Sequence, residues 1–99
     1  MTIFLVIKQS MRDCAPDMRI RVFDTYDKAA TYSRALIDEA INEWQHDVGT
    51  LLKYDSNRDY QDDDVLVEKY DNGNACNIFV YRREYENSDS IYISKQDVE

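Results

Sequence analysis

The longest pattern of apolar and polar positions runs from Thr25 to Val48 and predicts one amphipathic helix. Apolar or small residues recur there every three or four positions, which is the spacing of a single helix face. The Thr25 hydroxyl can cap the first turn, and Gly49 is a typical residue for ending a helix. We expect this helix to cover a sheet with the following stripe: Ala29, Tyr32, Ser33, Leu36, Ile37, Ala40, Ile41, Trp44 and Val48.

Two shorter patterns precede the helix and predict a pair of strands. Thr2–Gln9 contains five consecutive apolar residues, which favours a central strand covered on both faces. Met18–Phe23 alternates apolar residues with two arginines, which predicts a strand whose arginines face water. The intervening Ser10–Asp17 contains a proline and predicts the loop of a wide hairpin.

A second hairpin is predicted after the helix. An Asn-Gly pair occupies positions 72 and 73, and this pair is the strongest short hairpin signal in a sequence. With these residues as the turn, Val67 pairs with Ile78 on one face of the sheet, and Leu66 pairs with Phe79 on the other. The two predicted strands are Val65–Tyr70 and Ala75–Arg83.

The last strand is predicted at Ser90–Lys95, with Ile91 and Ile93 facing the core, and the tail Gln96–Glu99 is expected to fray. Apolar residues at positions 51–54 predict an additional turn under the sheet edge. The element order is therefore strand, strand, helix, strand, strand, strand. This order predicts a two-layer α+β fold in one domain of 99 residues, with one long helix packed on a mainly antiparallel sheet of about five strands.

The composition is strongly acidic. Twenty acidic residues against twelve basic ones give a formal charge of −8. Such a surface repels nucleic acid and anionic membranes, so it disfavours direct binding to either and favours a basic protein as the partner. The chain has no apolar run of membrane-spanning length, and its first residues lack the basic leader and cleavage site of a signal peptide. We expect a cytoplasmic protein.

The second half of the predicted helix is acidic, with no lysine or arginine after Arg34. Glu39, Glu43 and Asp47 are successive i,i+4 neighbours, and each like-charge pair costs about 0.2–0.5 kcal/mol. Acidic residues are also unfavourable near a helix C-terminus, and Arg34 offsets Asp38 alone. This pattern is compatible with an ordinary solvated helix face, but it also indicates a negative surface retained for a partner.

The acidic pattern continues after the helix. The segment Asp55–Asp71 holds seven carboxylates against two basic residues. If this segment folds beside the helix C-terminus, the two groups form one negative face, with tyrosines available as contact residues. The predicted partner-binding residues are Asp38, Glu39, Glu43, Asp47, Asp55, Asp59, Tyr60, Asp62, Asp63, Asp64 and Glu68.

Other site chemistries have weaker support in the sequence. Asp55, Asn57 and Asp59 match the first ligand positions of an EF-hand, but Tyr60 and Leu66 replace the glycine and the bidentate glutamate that this loop requires. A lone histidine on the outer side of the helix, two cysteines without a paired motif and two glycines provide no catalytic, zinc or phosphate-binding pattern. We expect no enzyme activity, no cofactor and no metal site.

These features together resemble the small, acidic, tyrosine-rich proteins that bacteriophages encode against host systems, including anti-CRISPR proteins and DNA mimics. The resemblance is one of type and rests on size, on the two-layer α+β plan, and on the acids of Asp38–Asp47 and Asp55–Asp71. It implies a non-enzymatic, stoichiometric inhibitor or adaptor that acts in the host cell. Its partner would be a host nuclease or nucleic-acid-binding complex.

The alternative hypothesis is a self-associating structural or regulatory module with no partner related to nucleic acid. An open sheet edge, or outer apolar residues, would then join two copies into a homodimer. The outer residues predicted for this role are Phe4, Leu66, Phe79 and Tyr92.

Overall fold

A single long helix lies across one face of a six-stranded sheet in the part of the chain that the structure describes. The structure is a computed structural model, and it describes residues 1–12, 15–48, 50–53, 64–80 and 87–98. The elements are β1 (Thr2–Arg12), β2 (Ala15–Phe23), α1 (Tyr26–Val48), β3 (Thr50–Lys53), β4 (Asp64–Tyr70), β5 (Ala75–Val80) and β6 (Asn87–Asp97).

The sheet has the strand order β2-β1-β6-β5-β4-β3. All neighbouring strands pair antiparallel except β3 and β4, which are parallel. This arrangement confirms the predicted two-layer α+β fold. It places the first and last long strands, β1 and β6, side by side at the centre of the sheet, directly under the helix.

The edge strand β3 is the one strand that the sequence did not predict. Positions 51–54 were expected to form a turn, but Leu51 pairs with Val65 and Leu52 pairs with Leu66 in a parallel ladder. Two apolar residues are too short a run to show period-2 alternation, so local sequence did not distinguish a strand from a turn. Position 54 lies outside the described residues.

Helix α1 begins where the sequence predicts. The backbone N–H of Lys28 donates to the Thr25 hydroxyl oxygen at 3.3 Å, which is the expected N-cap bond. The Lys28 ammonium also lies 2.9 Å from the Asp24 carboxylate and lowers the pKa of that group. The predicted apolar stripe is confirmed by the buried Ala29, Ser33, Ile37, Ala40 and Trp44 and by the partly buried Tyr32, Leu36 and Ile41.

The core lies between this stripe and one side of the sheet. Side chains alternate along a strand, so every second residue of each strand points towards the helix. Each fully buried valine or isoleucine contributes about 1.5–3 kcal/mol relative to exposure, which makes this layer the main source of stability. The strand residues in the core are Val6, Val65, Cys76, Ile78, Val80 and Ile91.

The hairpin between β4 and β5 has the predicted register and turn. Val67 pairs with Ile78, and Leu66 pairs with Phe79. Positions 72 and 73 form a type I′ turn, with φ of 54° and 83°, closed by a 3.0 Å bond from the N–H of residue 74 to the carbonyl of Asp71. Asp71 itself has φ of 53°, so this turn holds a non-glycine residue in a left-handed conformation before the Asn-Gly pair.

The first hairpin is tighter than predicted. Pairing between β1 and β2 continues to Arg12 and Ala15, so the predicted loop at Ser10–Asp17 is wrong. Pro16 pairs with Met11 in this ladder. Proline is tolerated here because β2 is the outermost strand, and its missing N–H lies on the side without a neighbour.

The apolar side of β2 faces away from the helix, so the prediction that its arginines lie on the side opposite the core is wrong. Leu5 pairs with Val22 and Ile7 pairs with Ile20, whereas the buried Val6 pairs with Arg21 on the helix side. The two arginines of β2 therefore lie on the helix side of the sheet edge, and the apolar residues of the strand lie on the open side.

An aromatic contact explains this orientation. The Arg21 guanidinium lies 4.8 Å from the centroid of the Tyr32 ring on α1 and 5.5 Å from that of Phe23. At the sheet edge, beyond the cover of the helix, an arginine can pack its stem and guanidinium on aromatic rings and still reach water. The apolar residues that alternate with the arginines along β2 therefore lie on the other face of the sheet.

Strand β1 is covered on one face only, within the described residues. The prediction of a central strand is confirmed, since β1 lies between β2 and β6. Ile3, Leu5 and Ile7 lie on the face away from the helix and are partly buried. Phe4 was predicted as an outer residue, but it lies on the helix side and its ring makes an edge contact with Tyr26 at 5.8 Å. A run of consecutive apolar residues is compatible with a strand that is covered on both faces, and also with a strand that is covered on one face and apolar on the other.

The two chain ends pair with each other. The backbone N–H of Val98 donates to the Met1 carbonyl at 2.7 Å, and the Met1 amine donates to the Val98 carbonyl at 3.0 Å. The Thr2 hydroxyl also donates to Asp97 at 2.8 Å. Fraying from Gln96 is therefore wrong, because β1 provides ladder partners as far as Asp97.

Candidate binding surfaces

The acidic half of the helix forms an exposed ridge. Asp38, Glu39 and Glu43 all lie on the outer surface of α1, and so does His46, as predicted. Two exposed ion pairs lie away from this ridge, one between Arg19 and Asp17 and one between Lys28 and Asp24. The i,i+4 positions of Glu39 and Glu43 place two carboxylates on the same ridge, one turn apart.

Arg34 does not neutralise this ridge, although the sequence placed it to offset Asp38. Its Nη1 donates to the side-chain oxygen of Asn74 at 2.9 Å, and its Nη2 lies 3.5 Å from the Thr31 hydroxyl. The guanidinium is thus directed across to the β4–β5 turn instead of along the helix. Arg34 therefore forms its hydrogen bonds with Asn74 and Thr31, and not with Asp38.

The Arg34 bond is part of a network that fixes the β4–β5 turn to the first half of α1. The Ser33 hydroxyl donates to the Asn74 carbonyl at 2.6 Å, and the Asn74 amide donates to the Tyr26 oxygen at 3.1 Å. The Tyr26 hydroxyl donates in turn to the Asp71 carboxylate at 3.0 Å. These bonds hold the left-handed residues of the turn in place, so we assign a structural role to this network.

A hollow of about 630 Å³ lies between the acidic ridge and the β1–β2 hairpin. Glu39 and Glu43 line it from the helix, and Lys8, Arg19 and Asp17 line it from the strands. Lys8 is only 9% exposed, so most of its side chain is buried where it lines the hollow. Acidic and basic side chains both line the hollow, so it favours neither anionic nor cationic ligands.

The structure separates the helix acids from the described acids of β4. Asp64 and Glu68 share the face of Leu66, which is the open side of the sheet, whereas Asp38, Glu39 and Glu43 lie on the opposite layer. The described residues therefore do not unite these two groups on one face. The other predicted partner-binding positions are Asp47, whose side chain is not described, and Asp55, Asp59, Tyr60, Asp62 and Asp63, which lie outside the described residues.

The open face of the sheet is the main surface that sequence reasoning missed. Met18, Ile20 and Val22 on β2 are 55%, 55% and 57% exposed, and Phe79 on β5 is 43% exposed. The strand register places the predicted outer residues Phe79 and Tyr92 on this face, with Phe79 exposed and Tyr92 partly buried. Leu66 lies on the same side of β4 but is only 7% exposed, so its prediction as an outer residue is wrong. The alternation in residues 18–23 was visible in the sequence, but it did not indicate which side of the strand the helix covers.

The face has little charge. Along β2, β1 and β6, the described side chains on the open face are aliphatic residues, methionine, serine, glutamine, proline and one tyrosine. Charged side chains on this face occur at Asp64 and Glu68 of β4, near its far edge. A chain of formal charge −8 thus carries a wide apolar and uncharged surface on the side opposite its acidic helix.

The core contains one buried hydrogen bond between side chains of the helix and the sheet. The indole N–H of Trp44 donates to the Asp89 carboxylate at 2.8 Å, and both side chains are buried. Burial raises the pKa of the Cys76 thiol to about 11, so this thiol is neutral at physiological pH and is a poor nucleophile. Among the described residues, no three metal-ligating side chains lie close enough together to hold an ion, and no helix has the length and apolarity needed to cross a membrane.

Comparison with known proteins adds no relative. No protein-family model, no curated protein and no solved structure matches this chain. The acidic ridge of α1 and the open face of the sheet are therefore the basis for a functional proposal.

Proposed function

We propose that this protein is a non-enzymatic binding protein that docks an acidic helix surface on a basic protein. The observation that carries this proposal is the exposed ridge of Asp38, Glu39 and Glu43 at the unfavourable end of α1. Arg34, which lies one turn before Asp38 on the helix, bonds Asn74 instead. Carboxylates placed against both the helix dipole and each other weaken the helix, so a role in binding accounts for their position better than a role in stability.

The geometry of the ridge suits a surface that normally binds nucleic acid. Carboxylates along one helix face present negative charges in a row, and a protein groove lined with lysine and arginine attracts such a row as it attracts phosphates. The protein would act as a stoichiometric inhibitor or adaptor of the phage counter-defence or DNA-mimic type, on a host nuclease or nucleic-acid-binding complex. The structure supports a smaller acidic face than the sequence suggested, because Asp64 and Glu68 lie on the other side of the sheet.

Affinity capture with variants of matched charge tests this proposal. Both Asp38→Asn/Glu39→Gln/Glu43→Gln and the control Asp24→Asn/Asp27→Asn/Glu68→Gln remove three exposed carboxylates, but only the first removes the ridge. Each full-length variant is used to capture partners from the lysate of the native host. Electrostatic association is screened within about 8–10 Å at physiological salt, so we expect the wild-type complex to dissociate as salt is raised.

We expect the ridge variant to capture at least tenfold less partner than the control variant, which follows if the three carboxylates lie near the centre of the contact. Equal capture by the two variants, or a complex that is insensitive to salt, would contradict the proposal. Circular dichroism confirms that each variant is folded.

A further inference from the structure

We infer that the open face of the sheet is a homodimer interface, in which two copies pack their sheets face to face. Six partly or largely exposed apolar residues on two neighbouring strands define it: Met18, Ile20 and Val22 on β2, and Ile3, Leu5 and Ile7 on β1. Their register places Ile20 beside Ile7 and Val22 beside Leu5, so they form one continuous patch. This inference is independent of the acidic ridge, which lies on the opposite layer.

The size of the face fits a dimer. Leu66 on β4 is buried within one copy, so the accessible face extends over the four neighbouring strands from β2 to β5. At about 4.8 Å spacing and roughly 27 Å of strand, these give a face of about 520 Å². Two copies would then bury about 1,000 Å², which is the size that a specific interface needs to reach.

The charge distribution favours a second copy as the occupant. Two molecules of formal charge −8 repel each other unless their contact is uncharged and their acids are remote from it. The open face meets both conditions, since β2, β1 and β6 present no charged side chain there among the described residues, and the acidic ridge lies on the far side of the sheet. Packed sheets lie about 10 Å apart, and each helix lies on the far side of its own sheet. The two helices would therefore lie more than a Debye length from the contact.

The composition of the face also resembles an interface core with a polar rim. The apolar residues of β1 and β2 lie on one side, and Tyr92 and the serines of β6 continue the uncharged surface. The Ser90 hydroxyl donates to the side-chain oxygen of Asn77 at 2.8 Å, so this donor and this acceptor are already paired within one copy. Glu68 stands on β4 towards the edge of the face, where a charge remains solvated.

Sedimentation equilibrium of the full-length chain tests this inference. We expect wild type to sediment at twice the chain mass of 11.7 kDa. Ile20→Glu and Val22→Lys place charges of opposite sign in the patch, and both should raise the dissociation constant about tenfold or more, because an unpaired charge in a desolvated contact is unfavourable whatever its sign. Both positions are exposed, so each variant should fold, and circular dichroism can verify this.

Arg19→Glu is the matched control, because Arg19 lies on the same strand but on the helix side. We expect this variant to remain dimeric. A wild-type chain that is monomeric at micromolar concentrations would overturn the inference. So would a dimer that survives both patch variants, or one that Val22→Lys strengthens and Ile20→Glu weakens, since that result would show that net charge alone controls association.

Discussion

Replacing Asp89 with alanine is expected to lower the free energy of unfolding by about 2–4 kcal/mol, a large part of the stability of a domain of this size. Asp89 is fully buried and accepts a 2.8 Å hydrogen bond from the indole N–H of Trp44. This bond joins the acidic end of α1 to strand β6. The variant removes the acceptor while the buried indole N–H remains in the core.

A double-mutant cycle separates this bond from ordinary packing. Trp44→Phe keeps an aromatic ring in the core and removes the N–H donor, and Trp44→Phe/Asp89→Ala removes both partners. If the bond carries the effect, the stability losses of the two single variants should add up to about 1.5–3 kcal/mol more than the loss of the double variant. Urea unfolding followed by far-ultraviolet circular dichroism, at one fixed protein concentration, measures all four proteins.

The exposed Asp97 provides the control for this cycle. Its carboxylate accepts a 2.8 Å bond from the Thr2 hydroxyl at the surface, so Asp97→Ala should cost less than about 1 kcal/mol. Equal losses for Asp89→Ala and Asp97→Ala would show that the buried pair has no special role. Additive losses in the cycle would show that Trp44 and Asp89 contribute by packing alone.

Replacing Asn74 with alanine is the second large expected effect, with a loss of about 1.5–3 kcal/mol. Asn74 is 7% exposed, and its side chain bonds both Arg34 and Tyr26. Two hydrogen bonds of about 1 kcal/mol each are lost, one of them to a charged donor, and the left-handed turn loses part of its support. Urea unfolding is again the measurement.

Tyr26→Phe is the graded control for this network. It removes the bond to Asp71 and the acceptor for Asn74, but the Tyr26 hydroxyl is near the surface, so water can replace it. We expect a loss of less than about 1 kcal/mol. A loss for Asn74→Ala no greater than that for Tyr26→Phe would mean that the turn is held by its own Asn-Gly geometry and not by the helix.

Much of this fold could be predicted from local sequence. The helix and its cap at Thr25 followed from a 3.6-residue period and one hydroxyl. The β4–β5 register followed from the Asn-Gly pair, because this turn type determines which residues face each other. In both cases the determining signal lies within a few residues of the structure that it produces.

The features that were missed depend on distant parts of the chain. Which side of β2 is covered depends on where α1 crosses the sheet, and the alternation around Ile20 is the same for either answer. Arg34 was assigned to Asp38 because they are i,i+4 neighbours, but Asn74 competes for the guanidinium from forty positions away. The extension of β6 to Asp97 likewise depends on pairing with the first residues of the chain.

The candidate surfaces show the same division. The acids of α1 could be located from the sequence, since an exposed helix position is predictable from its period. The separation of Glu68 from those acids could not, because it depends on which face of β4 meets the core. A dimer through the open sheet face and an acidic ridge on the outer helix are compatible, and together they would present two ridges on opposite sides of one assembly.

Competition with DNA for the captured partner tests the central proposal most directly. The partner is immobilised, the wild-type chain is bound to it, and a DNA duplex is added at increasing concentration in low salt. If the ridge of Asp38, Glu39 and Glu43 occupies a basic surface meant for nucleic acid, the duplex should displace the chain, and should displace the ridge variant at a lower concentration. Simultaneous binding of the duplex and the chain would contradict the account.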